Sequence, residues 1–179
     1  AIRTFNELLQ LDEDEFLRIT QGTFKLGIEF VNWGALGDRY MHGFGNIGQP
    51  IDGIGFHHYW LRRHLSGAAS NLDSLSINTM APRQAKFMRA RTDMPGSPLS
   101  EIANAFHFDA SLYARYLRGM AEKARVQRTE GIIVKVNQRE GDGHIQSLLM
   151  ANGEVVEGDF FIDCSGIRAL LIEQTLKVG

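Results

Sequence analysis

The places in this sequence where residue types and spacing could do chemistry are few. Lys25 stands inside GTFKLGIEFVNWG, residues 22–34, next to Gly27 and in line with Glu29. His42 and Phe44 stand in YMHGFGN, and Asp163, Ser165 and Gly166 in DCSG. An ammonium group donates hydrogen bonds and polarises an acceptor, while a partly desolvated amine is a nucleophile. The ordinary reading of a strand lysine is a solvated or edge-protecting residue. A histidine in a glycine-rich loop is usually polar surface, and an aromatic beside it can be a platform for a flat ligand. DCSG reads equally as a small-residue turn that lets a dinucleotide approach the main chain and as a tight turn with a capping serine. The G-x-G-x-x-G fingerprint is absent from this chain.

Other chemistries lack support. His57, His58 and His64 have helical spacing, but no Cys/His pattern supplies the three or four ligands of a metal site, so none is expected. There is no G-x-S-x-G, and the single cysteine, Cys164, lies at a strand end. Basic residues do not interleave with aromatics as a nucleic-acid surface requires.

The elements that must position these residues follow from periodicity. Ile2, Phe5, Leu8 and Leu9 have helical spacing. Asp12, with Glu15 three residues on, makes a capping-box start for a second helix. Residues 23–33 predict one strand, with Phe24, Leu26, Ile28 and Phe30 on one face; Gly27, on the face of Lys25, leaves room for a small molecule, and Lys25 and Glu29 would pair only loosely. Seven glycines lie between Gly34 and Gly55, more than a simple connection needs, which marks a functional or mobile loop. FHHYWLRRHL, 56–65, predicts a short helix. Residues 66–100 predict short helices and a mobile loop. FHF predicts a strand, Asp109 an N-cap, and Ala110, Tyr113, Ala114, Leu117 and Ala121 the stripe of a helix. From residue 129 the period is two: a strand, a GDG turn, a second strand, an NG turn of the primed type, and a third extended run. The apolar FFIDC in that run predicts a strand buried in a parallel sheet, entering a helix at Gly166.

The 179 residues suit one domain or a piece of a larger one. A net charge of −2 gives no reason to expect nucleic acid or a membrane as partner. No apolar run reaches spanning length, and the N-terminus carries no signal-peptide pattern. One cysteine excludes an intrachain disulfide and suits a reducing, cytoplasmic setting. The first residues begin inside a helical pattern and the last stop just after one, as in a fragment.

Taken together, FKLGIEFVNWG, YMHGFGN, HYWLRR, FHFDASLYARYL and GDFFIDCSGIRALLIEQTLK resemble the flavin-dependent tryptophan halogenases, in the family's order and over essentially the whole chain. The resemblance implies an α/β fold: part of a flavin-monooxygenase-like FAD-binding fold with added helical and loop segments for substrate. It implies one partial domain over 1–179, in which 1–65 carry the lysine strand and aromatic loop, 66–105 a variable loop and helical segment, and 106–179 the second part of the FAD domain. Lys25 matches the essential lysine. His42 and Phe44 match positions lining the aromatic substrate pocket. Ile133 matches a backbone contact to the adenine side of the cofactor, and Asp163, Ser165 and Gly166 the turn near the flavin.

The mechanism so implied starts from FADH2 delivered by a separate flavin reductase. With O2 it forms a C4a-hydroperoxide, which chloride or bromide converts to hypohalous acid; the lysine then presents the halogen to an indole or related aromatic. Three family features are missing here: the upstream glycine fingerprint, the downstream W-x-W-x-I-P motif and the glutamate that assists the lysine. The isolated piece is therefore expected to be inactive, and sheet edges left open would favour a homo-oligomer. Two alternatives stand beside this reading. One is a related FAD monooxygenase that hydroxylates, for which the lysine is unnecessary. The other is a truncated, non-catalytic flavin-binding module.

Overall fold

The structure, a computed structural model, describes residues 2–178; Ala1 and Gly179, the limits of the expected span, lie outside it. The backbone gathers into two compact units, one reaching to Ala121 and the other starting at Glu122.

The first unit is organised around Phe16. Helix α1, Ile2–Leu8, leads into α2, Glu13–Ile19. Asp12 caps α2 by accepting from the Glu15 N–H at 2.8 Å, and Glu13, Asp14 and Glu15 face the positive end of the helix. Strand β1, Thr23–Lys25, pairs antiparallel with β4, Ala105–His107, and β2, Gly27–Val31, pairs antiparallel with β3, Arg39–Gly43. Helix α5, Ala110–Lys123, starts at Asp109, whose carboxylate accepts from the N–H groups of Ser111 (2.7 Å) and Leu112 (2.9 Å). Phe16 is 0% exposed, and its ring meets Phe106, Phe108 and Tyr113 edge-on at 5.3, 5.3 and 5.4 Å. One side chain thus joins α2 to β4 and the start of α5, in the edge-to-face geometry aromatic quadrupoles favour.

The expected strand over 23–33 is two strands. The chain changes partner at Leu26, from β4 to β3. Leu26 is 7% exposed while Ile28 is exposed, so the apolar alternation does not make one continuous buried face. Helix α3, Phe56–Leu65, falls on the expected residues, with Trp60 stacked on His64 at 4.8 Å. In the weakly patterned middle, a 3-10 turn at Leu72–Leu75 leads to α4, Ile77–Arg83, and another lies at Pro98–Glu101. KFMRAR, residues 86–91 in the segment expected to hold a mobile loop, is pinned. Phe87 stacks on Phe24 at 4.0 Å, and Arg89 lies over the Phe24 ring and pairs with Glu13 (2.8 Å) and Asp14.

The second unit is an antiparallel meander: β5, Ile133–Gln138; β6, Ile145–Met150; and β7, Val155–Glu157. The turn at Asn152–Gly153 is not a two-residue primed turn. The Gly153 N–H donates to the Met150 carbonyl (2.9 Å) and the Met150 N–H to the Glu154 carbonyl (2.8 Å), with φ +85° at Gly153 but not positive at Asn152. That is a three-residue loop in which the glycine alone takes the left-handed position. FFIDC is not a buried strand either. Among the described residues no strand lies beside 158–165, all pairings are antiparallel, and Phe160 is 83% exposed. Apolar content signals a need for burial but supplies no neighbouring strand. The helix expected after Gly166 is a 3-10 turn, Gly166–Arg168, and then a π-helix, Leu170–Thr175. Among the described residues no helix is long and apolar enough to cross a membrane.

Because Phe16 is the ring the others close upon, Phe16→Ala should destabilise the protein by about 3–5 kcal/mol in urea unfolding, whereas removal of the exposed Leu36 side chain should cost less than about 0.5 kcal/mol.

Candidate functional site

Lys25 is the last residue of β1, opposite Ala105 in register, and is half-buried. Its Nζ lies 5.7 Å from the centroid of the Phe44 ring. A cation over an aromatic face is held by the ring quadrupole, by about 0.5–1 kcal/mol when exposed and more when water is excluded. The contact is built by the backbone: the Phe44 N–H donates to the Leu26 carbonyl at 2.8 Å, so the residue after Lys25 anchors the residue carrying the ring. Phe44 is half-buried.

Gly27 does not leave room beside Lys25. A Cβ there would run into the His42 carbonyl oxygen, the Met41 side chain (2.8 Å) and the Gly43 Cα (2.9 Å). The glycine permits close approach of β3, and the space is filled by backbone. Gly43, its register partner, is equally confined: a Cβ would meet Thr79 Oγ1 at 2.7 Å. His42 lies opposite Ile28 in β3 and is exposed. Glu29 does not pair with Lys25. Its carboxylate takes a bidentate ion pair from Arg39 (2.6 and 2.7 Å), and those hydrogen bonds hold it below the ordinary carboxylate range.

Two hollows lie nearby in the first unit. One of about 610 Å³ is lined by Leu26, Asn78, Met80, Phe87, Met88 and Ile102, among others, and includes none of Lys25, His42 or Phe44. The other, of about 400 Å³, is walled by Gly45, Ile47, Pro50, Phe56 and His57 and is formed by the glycine-rich loop directly after Phe44. Volume alone would favour the first, but the ammonium of Lys25 and the ring of Phe44 meet outside it. Residue spacing could not reveal Asn78, which reaches Leu26 from 52 residues away.

The second unit holds the remaining candidates. Ile133 opens β5, half-buried, opposite Met150. The Asp163 carboxylate is fully occupied: it accepts from the Ser165 N–H (3.0 Å) and hydroxyl (2.6 Å) on one oxygen and from the Leu171 (2.7 Å) and Ile172 (3.1 Å) N–H groups on the other. A carboxylate offers about four acceptor sites, so Asp163 shapes the turn and caps the helix after it. Gly166 has φ +68°, with nothing within 4 Å of where a Cβ would stand. Ser165 and Gly166 are exposed. This open backbone fits a cofactor that approaches the main chain closely.

The donors around Asp163, first the Ser165 hydroxyl and then the N–H groups, hold its carboxyl well below the usual range. A lowered folded value stabilises above the unfolded carboxylate value, near pH 3.9, and that stability is lost as pH falls through the folded value. Hydrogen exchange at the Leu171 and Ile172 amides should therefore be faster in Asp163→Asn than in wild type at neutral pH, and the difference should shrink on acidification below about pH 4.

The family model for tryptophan halogenase matches residues 1–179. The tryptophan 7-halogenase RebH of Lentzea aerocolonigenes is 32% identical over 188 residues, covering 97% of this chain and 34% of that protein. The tryptophan 6-halogenase ThaL of Streptomyces albogriseolus is 31% identical, covering 98% of this chain and 35% of that protein. Among solved structures, BrvH, a flavin-dependent halogenase from Brevundimonas sp. BAL3, superposes with a TM-score of 0.91 at 41% identity, over 99% of this chain and 36% of that one. The chain spans about a third of the length of these relatives.

Proposed function

This chain belongs to the tryptophan halogenase family, whose α/β, FAD-binding, monooxygenase-like fold it shares over this span, and we propose from that premise that it is the lysine-bearing part of an enzyme that chlorinates or brominates tryptophan or a related aromatic. The observation that carries the proposal is the ammonium of Lys25 held over the Phe44 ring. Reduced FAD, when bound, supplies with O2 and halide the oxidised halogen, and a separate flavin reductase would provide it in that form. Ser165, Gly166 and the Ile133 main chain would hold it, with Asp163 fixing the turn. The division into residues 1–65, 66–105 and 106–179 is then one of function within a partial FAD domain, and a cytoplasmic setting suits a partner reductase.

Lys25 would act on hypohalous acid. Its ammonium donates a hydrogen bond to the oxygen and draws electron density from the O–X bond, which makes the halogen more electrophilic. The aromatic carbon takes the halogen and the ring loses a proton; that proton and the hydroxide left from O–X cleavage make water. Phe44 would flank the substrate ring and His42 would stand at the pocket mouth, so that orientation selects the carbon attacked. The close approach at Gly27 serves this role by fixing Lys25 rather than by making room.

The role separates from flavin chemistry by one substitution. In the whole protein, Lys25→Ala should lower halogenated product to less than roughly a hundredth of wild type while oxidation of reduced flavin continues. Product at the wild-type rate, measured by mass spectrometry, would contradict the assignment.

A further inference from the structure

We infer that Asn78 is a positioning residue for Lys25, an inference that rests on the role given to Lys25 above. Asn78 lies in the first turn of α4 and is 2% exposed. Its side-chain amide donates to the Leu26 carbonyl at 3.2 Å and to the Ala103 carbonyl at 2.5 Å. Leu26 follows Lys25, and Ala103 lies two residues before Ala105, the register partner of Lys25. The β1–β4 ladder stops at the Lys25–Ala105 pair, so this one amide clamps both chains just where their own pairing ends.

Asparagine suits the position because its amide carries two donors and no charge. Aspartate has the same shape and no donor, and serine has one. The clamp is itself braced: Thr79 is 1% exposed and its Oγ1 lies 2.7 Å from where a Cβ on Gly43 would be, so the first turn of α4 rests on the end of β3. The Leu26 carbonyl thus takes the Phe44 N–H from one side and Asn78 from another. Lys25 has a long, flexible side chain, and its reach toward the Phe44 ring depends on this backbone being fixed. A displacement of about 1 Å at such a group costs up to about 100-fold in rate.

The test compares Asn78→Asp, Asn78→Ser and Lys25→Ala with wild type in the whole protein. Asn78→Asp should lower kcat for halogenated product by about 10- to 100-fold and leave KM for the aromatic substrate within about twofold. Oxidation of reduced flavin should continue, with hydrogen peroxide replacing product. Asn78→Ser, with one donor, should recover part of the loss. Independently of activity, amide hydrogen exchange should quicken at Gly27 and Phe44 while FAD binding, followed by fluorescence, is unchanged. Wild-type product coupling in Asn78→Asp overturns the inference, as does a folded Asn78→Asp in which substrate KM rises in step with the fall in kcat. If Asn78→Asp does not fold, Asn78→Ser decides on the same readouts. Halogenation by Lys25→Ala overturns the functional reading and this inference together. Its loss there, with full coupling in both Asn78 variants, overturns this inference alone.

Discussion

The carbonyl of Leu26 is the point on which the lysine site depends. The chain must change strand partners there, and a change of partner leaves main-chain groups without a ladder. Leu26 is buried, so water cannot take their place at low cost. The Phe44 N–H and the Asn78 amide both donate to this oxygen. Each such bond is worth about 1 kcal/mol net, but leaving a buried carbonyl unpaired costs about 1–3 kcal/mol. The same oxygen therefore ties together the strand carrying Lys25, the loop carrying Phe44 and the helix carrying Asn78. Gly27 follows from it, since β3 leaves no space for a Cβ there, while Gly43 is confined by Asn78 and Thr79 in the first turn of α4.

The second unit solves a similar problem with a carboxylate. Beyond β7 the described residues form no ladder, and the turn at Asp163 must satisfy its own N–H groups. Asp163 takes those of Ser165, Leu171 and Ile172 and the Ser165 hydroxyl. Its negative charge is spent on shape. What the turn leaves open is the main chain at Gly166, where nothing lies within 4 Å of a would-be Cβ.

Much of this was legible in the sequence where the signal is local. The Asp12 and Asp109 caps, the helix at 56–65 and the three strands after residue 129 follow from period and capping chemistry, and the family follows from joint motifs. Non-local facts were not legible. Alternation across 23–31 reads the same whether a strand keeps one partner or changes at Leu26. Gly27 looked like spare room because the residue filling it, His42, belongs to another strand. The apolar FFIDC run predicted a parallel sheet, although apolar content cannot show that a neighbouring strand is present. At Asn152–Gly153 the dipeptide marked a turn, but the loop length set its type. Asn78 carries no motif at all; its meaning comes only from the two carbonyls it reaches.

The central claim is that this junction holds the Lys25 ammonium against the Phe44 face. The most direct measurement is the NMR chemical shift of the Lys25 ε-methylene protons in isotopically labelled whole protein, compared with Phe44→Leu. An aromatic ring at 5.7 Å from Nζ should move those protons upfield of an ordinary solvated lysine, and the displacement should vanish in Phe44→Leu. Unshifted protons in wild type, or the same shift in both proteins, would contradict the account.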